Sequence, residues 1–399
     1  MFEESGSAQK PFGNYLSGDS SFLIDLVRVL ACEMVVLCHS LTIYMFYHNL
    51  VNDIGTWLWK IDGLLATMGV TLFFFVSGIV IANSLFKKRS EGRYGFLDYF
   101  IDRFSRIYSG LIPCLAVILI IDVLIMALNG PYYDKTSPSF GSPGLSATTF
   151  AASLLMIQSV PPLQIPQPPF AEILWTLNIE WWLYMLFGWA AISFAAIKKL
   201  DAKRILVLAI LALFPAYRLL IGPNYLVAIW FFGVLITLLL IKGKYTVFLK
   251  KHFKLLSAFF LLLTIIRIGQ ILSWGIQAYE PVIEVLVGCL LLVTVINLND
   301  QNRIPNGRIK LIVKTMAKYS FTLYLTNMAV IGLSFACIDK FSLSIGLPGV
   351  IVYSLVVTNL IALAIAIPTE MQYKKFGRWI KARLKTTAHQ PLIMPPQGP

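Results

Sequence analysis

Ten apolar stretches dominate the chain, most of them close to the roughly 20 residues that a helix needs to cross about 30 Å of hydrocarbon. They fall at about 22–46, 62–85, 107–128, 171–196, 205–220, 225–241, 255–274, 281–298, 319–337 and 349–369. Inside a bilayer every backbone polar group must be satisfied within the protein, so runs of this length point to helices. The expected fold is an all-α polytopic membrane protein with about ten transmembrane helices. Only Gly222, Pro223 and Asn224 separate the fifth and sixth stretches, the weakest division in the series.

The charges test this count. The chain has 33 Lys+Arg against 20 Asp+Glu, a net +13, yet only 13% of its residues are charged. That is about half the density of a soluble domain. A basic soluble chain would suggest a nucleic-acid partner; here the cations are sorted by loop. Lys60, Lys135 and Lys340 lie on one side, Arg28, Arg218 and Arg267 fall within stretches, and the remaining 27 lie on the other side. The positive-inside rule then expects both termini in the cytoplasm and no nucleic-acid partner. Residues 1–20 read as a cytoplasmic lead segment without a cleavable leader, 21–385 as the membrane domain and 386–399 as a disordered, Pro-rich tail. The outside loop 129–170 holds eight of the 20 prolines. It is long enough to be functional and could roof an outward-facing site, with a short surface helix between Leu145 and Ile157. Five cysteines (Cys32, Cys38, Cys114, Cys289, Cys337) lie inside stretches without metal-ligand spacing, so neither a disulfide framework nor a metal site is expected.

Ionisable residues inside spans are costly and mark functional candidates. The first span carries Asp25, Arg28, Glu33 and His39. Arg28 and His39 are eleven residues apart, some 16 Å along the helix and within about 20° of one face. Asp25, three residues before Arg28, is placed for a local ion pair. Competing readings are snorkelling for Arg28 and a packed, carbonyl-bonded histidine for His39; neither accounts for the shared face. In the fourth span Thr176, Glu180 and Tyr184 are spaced i, i+4, i+8 and form one polar stripe. Counted from the outer interface, Glu180 lies about 12 Å deep, near enough to the expected depth of His39 for the carboxylate to orient the imidazole as a general base. Arg103 and Arg106, i and i+3 at the mouth of the third span, suit bidentate contact with anionic phosphate groups, although basic residues there also serve topology.

Taken in order, several motifs resemble those of the membrane acyltransferase-3 family. The Arg28-x10-His39 pair resembles its first-helix signature, and Gly69-Val70-Thr71-Leu72-Phe73-Phe74-Phe75-Val76-Ser77-Gly78 its second-helix motif. Arg103-Phe104-Ser105-Arg106 is similar to its Arg-x-x-Arg motif, Trp175 to Tyr184 to its Trp-Ser-Leu-x-x-Glu stretch, Tyr319-Ser320 to Leu325 to its ninth-helix motif, and Glu370 to a late glutamate. Departures are Thr71 where Asp is common, Ser109 for Pro, Thr176 for Ser, and Asn327 where His is frequent. No appended hydrolase domain is expected after the membrane module.

The resemblance implies acyl transfer, most often of acetyl from acetyl-CoA, to a hydroxyl of a carbohydrate or lipid-linked glycan, with a bacterial inner membrane as the usual setting. Under this reading His39 is the base and Glu180 its orienting partner. Arg28, Arg103 and Arg106 hold the donor's phosphates, while Asp25, Ser77, Thr176 and Tyr184 support the site, with Thr176 or Tyr184 as oxyanion donors. Trp57, Trp59, Tyr132, Tyr133 and Trp175 are candidates for stacking on sugar rings, or for an interfacial belt. Ser40 leaves an acyl-serine route open, although adjacent helical side chains diverge by about 100°. The rival class is a secondary transporter with His39 and Glu180 as a proton relay; repeated halves, its usual mark, are not evident.

Overall fold

Each of the ten apolar stretches has an α-helix over most of its described residues. The computed structural model describes residues 16, 18–48, 50, 56–92, 94–128, 146–160, 164–193, 202–221, 224–242, 246–274, 282–298 and 307–388, and no strand occurs among them. The helices are α1 (Asp19–Tyr47), α2 (Trp57–Ser90), α3 (Phe96–Leu128), α4 (Ala147–Leu154), α5 (Leu174–Ser193), α6 (Ala202–Ile221), α7 (Asn224–Lys242), α8 (Thr246–Lys251), α9 (Phe253–Trp274), α10 (Val282–Leu298), α11 (Arg308–Lys340), α12 (Leu347–Ala366) and α13 (Tyr373–Ala388), with a 3₁₀ turn at Glu370–Gln372.

Five helical segments are long and apolar enough to cross a membrane: α2, α3, Phe253–Gln270 of α9, α11, and the segment Leu347–Leu384 that begins with α12. A sixth arises if α6 and α7 form one broken span; the two are bent by 117° where the sequence carries Gly222-Pro223-Asn224. α1 also has the length, at 29 residues. The surface agrees with a lipid environment. Ile112, Leu119, Ile120, Val123 and Leu124 of α3, and Phe259, Leu262, Ile265 and Ile266 of α9, are exposed, a density of apolar surface that water would not tolerate. The protein is thus an all-α, multi-pass membrane protein.

The centre of the bundle is α11, nearly all of whose residues from Tyr319 to Ile338 are buried. It runs parallel to α1, as successive contacts along the seam record: Asp19 with Lys310, Arg28 with Ser320, His39 with Asn327, and Tyr47 with Asp339. α3 packs against the other side of α11 and, antiparallel, against α5. α2 and α7 approach so closely that a Cβ on Gly78 would strike the Trp230 carbonyl, and one on Gly233 the Phe75 carbonyl. These two glycines let the backbones touch, as small residues do at membrane helix crossings, and the contact carries the Trp230 indole to Ser77.

Two local features matter for the site. The short helix expected between Leu145 and Ile157 is present as α4, with Ala147, Thr148 and Ala151 exposed and Thr149, Ala152 and Ser153 buried, and residues 146–160 form an insertion against the bundle. The carbonyl of Leu154 at the end of α4 accepts from Tyr108 Oη at 2.6 Å, and that of Met156 from Asn178 Nδ2 and Trp182 Nε1, both at 2.7 Å. Tyr108 lies 20 residues before the end of α3, roughly 30 Å by helix rise, so the insertion reaches far into the bundle. Positive φ at Met156 (55°) and Ser159 (56°) turns the chain back at its deepest part. At the other end of the sequence, α13 runs to Ala388, three residues past the expected boundary at 385. Residues 129–145 of the long loop, with Tyr132 and Tyr133, and residues 389–399 of the tail lie outside the described residues.

Candidate active site

A cavity of about 90 Å³ opens where α1, α2, α3, α5 and α11 converge, in the half of the bundle nearer the start of α1. Its polar lining is Arg28, Ser77, Arg103, Arg106, Glu180 and Tyr184, on a wall of Phe73, Val76, Val80, Ile81, Ile107 and Phe321. Residues from five separate sequence motifs thus meet around one space. Of the residues singled out from the sequence, His39, Asp25 and Thr176 are not part of this lining.

The three guanidinium groups are held differently. Arg106 Nη1 pairs with Glu370 Oε1 at 2.8 Å, and Glu370 Oε2 accepts from the Thr322 amide (2.9 Å) and hydroxyl (2.8 Å). Pro368 makes this possible. α12 ends at Ala366, as expected shortly before a proline, and the turn that follows delivers the fully buried Glu370 to Arg106. Arg28 donates to Ser320 Oγ at 3.0 Å. Arg103 donates to Ser84 Oγ at 3.3 Å, lies 5.7 Å from the Tyr99 ring centroid and leaves its buried Nε unpartnered. Arg28 and Arg103 make no salt bridge among the described residues. The local Asp25–Arg28 ion pair does not form: Arg28 turns to Ser320, and Asp25 acts on it only through longer-range electrostatics.

Glu180 ends a directed hydrogen-bond chain. Indole N–H can only donate and an ionised carboxylate can only accept. Trp230 Nε1 therefore donates to Ser77 Oγ (3.2 Å), Ser77 to Tyr184 Oη (2.7 Å), and Tyr184 to Glu180 Oε1. One turn along the stripe, Thr176 Oγ1 donates to the Ile173 carbonyl (2.6 Å) and accepts from Tyr324 Oη (2.8 Å). Each hydroxyl proton is engaged, so neither Tyr184 nor Thr176 holds one free for an oxyanion.

His39 and Glu180 do not pair. His39 Nδ1 bonds Asn327 Oδ1 at 2.6 Å, while Glu180 sits in the arginine cavity. The depth count failed because α5 does not start level with the end of α11. Residues 164–173 run inward without helix, and the first turn of α5 already meets Tyr324, 16 residues or roughly 24 Å before the end of α11. The whole stripe is displaced toward Arg28. Asn178, whose Oδ1 accepts from the buried Arg218 at 2.6 Å, ties α5 to the inserted segment at this depth. Asn327, Tyr324 and Trp230 had not been singled out as site residues. Asn327 had been noticed only as a departure, and its contact with His39 spans 288 positions, beyond any local pattern.

A family model described as an acyltransferase domain matches residues 23–367. The chain belongs to the acyltransferase-3 family. The match includes every element that lines the cavity and stops three residues short of Glu370. No curated protein and no solved structure matches the chain. As a member of the family it is a membrane acyltransferase, acting between an acyl donor and an acceptor. No group of three or more His, Cys, Asp or Glu side chains that could hold a metal ion occurs among the described residues.

Proposed function

We propose that this acyltransferase is an O-acyltransferase of the bacterial inner membrane, moving an acyl group, acetyl in the simplest case, from acyl-CoA to a hydroxyl of a cell-surface carbohydrate or lipid-linked glycan. The observation that carries the reading is the pair Arg28 and Arg103, facing one cavity with no carboxylate salt bridge. Guanidinium groups held only by hydroxyls and rings are available to phosphate, which they bind in a bidentate way. Arg106, already paired with Glu370, positions the wall and adds to the field; three guanidinium groups there face two carboxylates. By the charge sorting of the loops, this half of the bundle is cytoplasmic, where acyl-CoA is found.

From the arginines, the α1–α11 seam leads about 16 Å to His39, so the extended arm of the donor substrate can place its thioester beside the imidazole. The acceptor oxygen attacks the thioester carbonyl carbon while His39 takes the hydroxyl proton. The C–S bond then breaks and His39 returns the proton to sulfur, leaving the ester and a free thiol. Glu180 lies too near the arginines to orient His39; its place is the polar wall of the donor cavity.

The test is radiolabelled acetyl-CoA added to membranes containing the full chain. Label is expected in a membrane-associated glycan, and is expected to be lost with His39→Ala. Proton-coupled export of a glycan without any dependence on acyl-CoA would overturn the assignment in favour of a transporter.

A further inference from the structure

The contact between His39 and Asn327 determines more than an orientation. An asparagine side chain presents one acceptor face and one donor face, and its neighbours decide which way round it sits. Here Asn327 Nδ2 donates to two main-chain carbonyls of its own helix, Leu323 O at 2.9 Å and Tyr324 O at 2.8 Å. Reversing the amide would set Oδ1 against both carbonyl oxygens and leave a fully buried group unsatisfied. Oδ1 therefore faces His39. An amide oxygen only accepts, so Nδ1 of His39 at 2.6 Å must carry the hydrogen. A neutral imidazole with its proton on Nδ1 has its lone pair on Nε2.

We infer that Asn327 is the positioning residue of this enzyme, holding His39 as the Nδ1–H tautomer so that Nε2 is the basic atom facing the acceptor hydroxyl. The inference rests on the proposed role of His39 and deepens it by naming the reacting atom. It also explains why Glu180 can be remote from His39: the task of a carboxylate behind a catalytic imidazole is taken by an amide. The difference has a consequence. An amide oxygen fixes the tautomer without a negative charge, and it cannot accept the proton outright. After abstraction the proton stays on Nε2, from which it returns to the leaving sulfur. Asn327 is carried on α11, the most buried helix, and Leu323 and Tyr324 are its own preceding turn. The amide is thus set by helix geometry before any substrate arrives.

The direct test needs no variant of Asn327. Full-length protein labelled with ¹⁵N at histidine and reconstituted in lipid is examined by solid-state NMR, with His39 assigned by difference against His39→Gln. A protonated Nδ1 and an unprotonated Nε2 are expected; the opposite tautomer overturns the inference whatever the kinetics. The second test is Asn327→Leu, which keeps the side-chain volume and removes the acceptor. An imidazole left free to adopt the wrong tautomer can lose up to about 10⁴-fold in turnover. A fall in kcat of at least about 10²-fold is expected here, with KM for donor and acceptor each within about two-fold. Wild-type kcat in a folded Asn327→Leu protein overturns the inference. The two failures are distinguishable. If His39→Ala retains acyl transfer, the proposed base is wrong while the NMR tautomer stands. If His39→Ala is inactive but the wild-type signal reports Nε2–H, only the role of Asn327 falls.

Discussion

Arg28 and His39 share one face of α1, yet the two ends of that face are built on opposite principles. Around Arg28 the structure gathers charge: three arginines and Glu180 line one cavity, and Glu370 backs it through Arg106, from four parts of the chain in all. Among the described residues, the one side-chain hydrogen-bond partner of His39 is a neutral amide. A polyanionic substrate is held by charge, which acts at a distance and tolerates imperfect fit. A proton transfer needs one lone pair pointed in one direction. The comparison suggests a binding end and a reacting end connected by the seam between α1 and α11.

Four substitutions break or sharpen that division. The largest effect is expected from Glu370→Gln, which leaves the Arg106 guanidinium facing an amide in a buried pocket. Breaking a buried ion pair costs about 3 kcal/mol or more, so the melting temperature in detergent should fall by several degrees; an unchanged melting curve would show that Arg106 is solvated and not paired. His39→Ala comes next, with kcat down by about 10²-fold or more and stability near wild type. Turnover within a few-fold of wild type would remove the reacting end altogether. Arg103→Ala removes one charge-assisted contact, so KM for acyl-CoA should rise by roughly 10-fold while the acceptor KM stays put. Equal changes in both would mean that the two ends are not separate. Ser77→Ala is the mildest. It interrupts the chain from Trp230 to Glu180 at a cost of about 1 kcal/mol, read as a modest loss of donor affinity; a change in kcat alone would tie Glu180 to the chemistry.

The sequence exposed features that depend on a local pattern. Ten apolar stretches returned as helices because a span of hydrocarbon length is its own signal. The Arg28–His39 face and the Thr176–Glu180–Tyr184 stripe followed from helical periodicity, and the Arg-x-x-Arg pair did line the cavity. The pairing of Glu180 with His39 failed for a specific reason. Residues 146–160 and 164–173 fold into the bundle, Met156 and Gln158 carbonyls bind Asn178, and α5 starts well short of the level at which α11 ends. A hydropathy run reports that residues are buried in apolar surroundings, whether by lipid or by other helices. It carries no information on the depth at which a helix begins.

The sequence by itself determined a helical membrane protein, its family and the residue types of its site. It did so because hydrophobic length, charge sorting and side-chain periodicity are properties of neighbouring residues. Only the tertiary structure decided which of those residues meet. Glu370 reaches Arg106 and Asn327 reaches His39 across 264 and 288 positions respectively, through the packing of α1 and α3 on α11. Such contacts are set by how helices stack in three dimensions, and no local pattern along a single helix encodes them.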